Sequence, residues 1–265
     1  MAEVAAYEAA ARAASEVQTV SAEVGSEDAA TDATTTDATA STTDATADDS
    51  TGPATCECAL LEVCENGTCV PPVRTLYINL DGVTTTLGNP DATQNVQNLY
   101  PEFAITWDPY GADEATRQAL LSAIAEQWAP FPVVVTDMRP ATGPYVMAVV
   151  SASPPPAGFE GFSLFAFPDC GDMYPQDIVF VLASPSDGAG PAIHANWVSS
   201  TLGRALGLRL TEATDDIMGY GSRFTDVCNA STDASCPTAH PELCGGDAMQ
   251  QNSYGELVEL LGLRM

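Results

Sequence analysis

Side chains able to act as bases, nucleophiles or metal ligands are few and unevenly placed in this chain. It carries 2 histidines, 8 cysteines and 36 acidic residues against 8 basic ones, and every basic residue is an arginine. The lack of lysine removes Schiff-base chemistry, Ser-Lys dyads and the phosphate-gripping lysine of a P-loop. Ser199 and Ser200 stand in VSSTLGRALGL without a GxSxG elbow, and only two histidines exist to serve them as a base. His194 lies six residues before Ser200, about 240° round a helix at about 100° per residue, so the two do not share a face. His194 and His240, the latter beside Pro241, read as surface or capping residues. Asp169, Asp172 and Asp177 cluster in FPDCGDMYPQD and invite an acid–base reading, but a turn-rich, disulfide-pinned loop leading into a strand explains them more simply. Asp215 and Asp216 offer oxygen ligands for calcium without the EF-hand pattern, and read as solvated charge.

The cysteines fall into two groups. Cys56, Cys58, Cys64 and Cys69 lie within CECALLEVCENGTC and read as two disulfides of a small knot. A four-thiolate zinc site is the rival, but paired CxxC knuckles are missing. Cys170, Cys228, Cys236 and Cys244 suffice for two further disulfides whose pairing the sequence leaves open. Disulfides imply an oxidising, extracytoplasmic compartment, at the cell surface or beyond it. The opening MAEVAAYEAAARAASEV has no basic start and no apolar run, so an upstream or removed export signal is expected. No stretch is long and apolar enough to be expected to span a membrane. The net charge of -28 repels a phosphate backbone, which argues against nucleic acid as a partner.

The elements that must position these residues begin late in the chain. Residues 1–55 are alanine-rich and then acidic and Ser/Thr-rich, with too little apolar area to offset ordering entropy, and are expected to be a flexible, charge-extended segment. Residues 56–70 form the cysteine knot, Pro71-Pro72 a hinge, and residues 73–265 one main domain. RTLYINL alternates Leu76, Ile78 and Leu80 as a half-buried strand does. A helix is expected from Ala112 to Ala129, capped by Asp113 and apolar along Leu120, Leu121, Ile124 and Trp128. Three β-rich runs follow, FPVVVTD, YVMAVVS and DIVFVL, and then a second helix after Gly190-Pro191. That helix contains Gly203, which costs about 1 kcal/mol relative to alanine and calls for a packing reason, and the chain leaves it at Gly207. SYGELVELLGLRM reads as a closing helix that packs back on the domain.

Within the second helix TLGRALGL, followed by DDIMGY, resembles the active-site helix and methionine turn of the metzincin zinc peptidases. There HExxHxxGxxH places histidines at i and i+4 on one helix face to grip an ion, and the glutamate polarises its water. With Gly207 aligned on the motif glycine, the four functional positions fall at Ser200, Thr201, Arg204 and Leu210. Hydroxyls are poor neutral zinc ligands, leucine is none, and arginine stays protonated and repels the cation. The resemblance therefore implies an α+β, metzincin-like fold, with a twisted mixed sheet packed on a long helix and a degenerate active-site helix, and a Cys-rich C-terminal part. It implies neither catalytic residues, nor a bound metal, nor any cofactor.

Under that resemblance Met218 sits in a tight turn beneath the helix with Tyr220 just after it, and Arg204 occupies the place of the ion. Arg204 is expected to pair with Glu212, Asp215 or Asp216, or, in an open cleft, to receive a ligand carboxylate. The function expected is an inactive binding or structural module whose cleft holds an extended extracytoplasmic peptide or protein by strand addition. The alternatives are an active secreted zinc peptidase with its metal held elsewhere, and a display or stalk protein.

Overall fold

The computed structural model describes residues 73–100, 104–233 and 236–264, together with the backbone of two short strands before them. The expectations for residues 1–55, and for Cys56 and Cys58, lie outside the described residues. Those two strands, β1 (Val63–Glu65) and β2 (Thr68–Val70), pair antiparallel with Cys64 opposite Cys69.

The main domain is mixed α+β. Its central sheet has the order β7-β3-β8-β10-β9, built from β3 (Arg74–Asn79), β7 (Val133–Thr136), β8 (Val146–Ser151), β9 (Leu164–Phe165) and β10 (Ile178–Leu182). Four strands run parallel, and the short edge strand β9 runs antiparallel to β10. Parallel neighbours need crossovers, which is why helix α1 (Glu114–Gln127) separates β3 from β7.

Leu76, Ile78 and Leu80 enter one core beneath the helices, as their alternation predicts. The opposite face is covered too. Tyr77 and Asn79 are only 6% and 4% exposed, so the half-buried reading of this strand is corrected. A second sheet, β5-β4-β6, made of β4 (Val83–Leu87), β5 (Val96–Gln97) and β6 (Ala104–Trp107), lies on that side. There Tyr100, Trp107, Phe165 and Phe180 pack edge to tilted face around a second core. Central parallel strands are normally covered on both faces, and each large side chain so buried contributes about 1.5–3 kcal/mol.

Asp113 caps α1 by accepting Thr116 N–H at 2.8 Å, and Leu120, Ile124 and Trp128 are buried as the helical spacing predicts. Helix α2 (Pro191–Ala205) follows β10 and packs against α1. Trp128 Nε1 donates to Ser199 Oγ at 3.0 Å, and Ser199 Oγ donates to Gln127 Oε1 at 2.6 Å. The tail returns through β11 (Cys228–Ala230) and β12 (Gln250–Asn252) to helix α3 (Ser253–Leu261), whose Leu257 and Leu261 close the core. Among the described residues no helix is long and apolar enough to cross a membrane.

Candidate functional site

The C-terminal half of α2 gathers the residues that the motif singles out. Ser200 and Thr201 are 1% and 2% exposed, and Arg204 is 7% exposed. Thr201 Oγ1 donates back to the carbonyl of Trp197 at 2.6 Å, a bond internal to the helix. Gly207 adopts φ +88, in the region that favours glycine, and a Cβ there would stand 3.0 Å from the Asp169 carbonyl oxygen. The chain therefore turns out of the helix against a neighbouring loop. Leu210 lies just beyond, half-buried and packed on the main core.

Arg204 is fixed by an ion pair. Its Nη1 donates to Asp233 Oδ2 at 2.6 Å, and the same oxygen accepts the Leu210 backbone N–H at 2.9 Å. One carboxylate thus joins Arg204 and Leu210, two of the positions singled out by the sequence resemblance. The partner is Asp233, not the residues that proximity in sequence suggested: Glu212 is exposed, and Asp215 and Asp216 are engaged elsewhere. Glu212 pairs its backbone with Ala230, and Asp215 faces Arg223 at the surface. Asp216, wholly buried, accepts Met218 N–H at 2.8 Å on Oδ1 and the Thr225 hydroxyl on Oδ2. It caps the short turn Ile217–Gly219 that carries Met218, which corrects its reading as solvated charge. Asp233 was missed because it lies 29 residues from Arg204, in a stretch of small polar residues with no periodicity to mark it.

Met218 is fully buried under α2 against Gly203, while Tyr220 adopts φ 67 and is 47% exposed at the outer end of the turn. The packing reason for a glycine inside the helix is therefore the methionine.

His194 is not at the surface. It is 0% exposed, with Nδ1 2.8 Å from the Tyr110 hydroxyl and Nε2 2.9 Å from Asp187 Oδ2. A carboxylate only accepts, so Nε2 donates to Asp187, while Nδ1 and the Tyr110 hydroxyl share the second hydrogen bond. All three groups use one another, which fastens the entry of α2 to the strand-connecting loops. His240 stays partly exposed beside Glu242.

Asp169 and Asp172 come together at Arg74, at the start of β3, and Asp177 lies within range of the Asp169 charge. Arg74 forms an ion pair with Asp172 and senses the charge of Asp169. Burial pushes the Asp169 carboxyl up, and burial together with the Asp169 charge pushes Asp177 up to about 8. Cys170 in the same loop is bonded to Cys236, and Cys228 to Cys244, which supplies the pairing that the sequence left open. These bonds favour an extracytoplasmic location.

The donor set does not fit the zinc ion that the resemblance calls for in active members. The motif positions present two small hydroxyls, a guanidinium already held by a carboxylate, and an aliphatic chain. Among the described residues no three His, Cys, Asp or Glu side chains are grouped to hold a metal. Comparison with protein-family models and with curated proteins finds no match for this chain.

Proposed function

We propose that this chain is a catalytically inactive, metzincin-like domain that serves outside the cytoplasm as a peptide- or protein-binding or structural module. The observation that carries the reading is the Arg204–Asp233 pair, which bonds at 2.6 Å and ties in Leu210 N–H, so that an internal salt bridge takes the place of the ion. The sheet order with its single antiparallel edge strand, the glycine turn at Gly207 and the buried Met218 all support the family assignment. With the guanidinium covered and paired, α2 is a structural support, and a partner would have to engage another part of the cleft.

The edge strand β9 supports the binding half of the reading. Leu182 N–H bonds the Ser163 carbonyl and Phe165 lies opposite Phe180, so the N–H and C=O of Leu164 are turned away from β10. An extended peptide adds to such an edge through main-chain bonds without being cut. Secretion or surface display is part of the same proposal.

The test has two arms. Metal analysis after incubation with zinc, alongside cleavage assays on an unfolded protein substrate, is expected to give neither stoichiometric zinc nor chelator-sensitive cleavage. Both together would establish an active peptidase instead. Screening extended peptides against the full chain and its Leu164→Pro variant is expected to find binding that the variant loses, because proline has no N–H to donate. Binding indifferent to that change would leave only the structural role.

A further inference from the structure

The loop from Pro168 to Asp177 sits over the C-terminal end of α2. Asp169 N–H donates to the Arg204 carbonyl at 3.1 Å, and the Asp169 carbonyl crowds Gly207. Cys170 joins the loop covalently to Cys236, three residues past the Asp233 that holds Arg204. The loop is thus packed on the C-terminal end of α2 and bonded to the segment that follows Asp233.

Its charges are poorly balanced. Asp169, Asp172 and Asp177 are 4%, 1% and 7% exposed. Among the described residues the cation paired with them is Arg74, whose guanidinium bonds Asp172 Oδ2. Asp169 Oδ2 accepts Tyr174 N–H at 2.6 Å, whereas Oδ1 of Asp169 and Oδ1 of Asp172 are buried without a hydrogen-bond partner. The C-terminal carbonyls of α2, whose dipole end is negative, face the same loop. Among the described residues no cation faces Asp177, so a third negative charge here is costly, and lifting the loop to admit water relieves it.

We propose that the Pro168–Asp177 loop is an electrostatic latch, held over the end of α2 by the single guanidinium of Arg74 and opened when the negative charge of its carboxyl cluster rises, which uncovers the Arg204–Asp233 pair. The latch does not depend on the family assignment. Asp169 and Asp172 from the loop and Arg74 from β3 meet on it, Asp177 adds its carboxyl near Asp169, and the Arg204 carbonyl of α2 accepts from its backbone.

The charge that rises is that of Asp177, which holds its proton up to about 8 in the closed loop and has an ordinary aspartate's acidity once the loop is open. For a group that loses one proton on opening, the open population grows about tenfold per pH unit below that value and levels above it. Hydrogen exchange of the intact, disulfide-bonded chain reads this directly at the amides of Asp169 and Tyr174, after correction for the intrinsic pH dependence. The expected result is an increase of about fiftyfold between about pH 6 and about pH 8 in the wild type, and a flat profile in Asp177→Asn. Arg74→Gln is expected to remove protection already at pH 6. Labelling of Arg204 by phenylglyoxal at pH 8, faster in the wild type than in Asp177→Asn, reads the uncovering on folded protein without relying on the Arg74 variant. Identical profiles for wild type and Asp177→Asn would overturn the latch. So would protection at pH 8 that returns on adding calcium chloride, which would make the two orphan oxygens a cation site.

Discussion

The sulfur of Met218 lies 2.6 Å from the point that a Cβ on Gly203 would occupy, so the turn and the helix are fitted to each other through a missing side chain. Gly203→Ala gains about 1 kcal/mol of helix propensity and incurs about 1–3 kcal/mol of overpacking. The expected outcome is a lower melting temperature for Gly203→Ala and recovery of part of the loss in Gly203→Ala/Met218→Ala, measured by thermal denaturation. Additive effects of the two changes would contradict the fit.

Arg204 and Asp233 are buried together, and removing one leaves the other charged and without its partner. Arg204→Met or Asp233→Leu alone is expected to cost about 3–5 kcal/mol, and the double variant much less than the sum. Denaturant titration of the four proteins measures the coupling. A coupling near zero would mean that the pair does not hold α2 to the tail in energetic terms.

Tyr110→Phe strips His194 Nδ1 of its hydrogen-bond partner in a fully buried site. A loss of about 1–3 kcal/mol is expected from the unsatisfied ring nitrogen. Asp187→Asn, which keeps an acceptor for Nε2, is expected to cost less than Asp187→Ala, and the order of the two melting temperatures checks this.

Two aspartates give the stability curve opposite slopes. Asp177, raised by burial and by Asp169, contributes stability that is full below the ordinary aspartate range and is lost as pH rises through about 8. For Asp187 burial pulls upward, but the N–H groups of Ala189 and Ser184 and the His194 ring outweigh it and hold the carboxyl below its usual range. Its contribution is present above the ordinary value and is lost as pH falls through the lowered one. Asp177→Asn should therefore raise the melting temperature most at about pH 8, and Asp187→Asn should flatten the acid limb. Melting scans across the pH range test both.

Cys170–Cys236 closes a sequence separation of 66 and Cys228–Cys244 one of 16. By loop entropy the first contributes about 4 kcal/mol and the second about 3 kcal/mol. Replacing each pair by serine should reproduce that order in denaturant titrations, and the reverse order would mean that the tail is held chiefly by its β11–β12 pairing.

The sequence by itself determined the elements of the domain and their order. Alternation in RTLYINL, the capped stripe ending at Trp128, the β-branched runs and the Gly190-Pro191 start are local patterns, and each corresponds to a strand or helix of the fold. The interrupted helix followed by DDIMGY also marked where Gly207 and Met218 had to turn the chain. What only the tertiary structure decided are the partnerships across sequence distance. Arg204 found Asp233 rather than a nearer carboxylate, and His194 was drawn into the core by Tyr110, 84 residues away. Covering both faces of β3 took a small sheet of polar, threonine-rich strands that no hydrophobic period announces. The reason is physical. Periodicity records which face of an element is buried, whereas the partner of a buried charge is fixed by which chain segments the packed core brings to the same few ångströms.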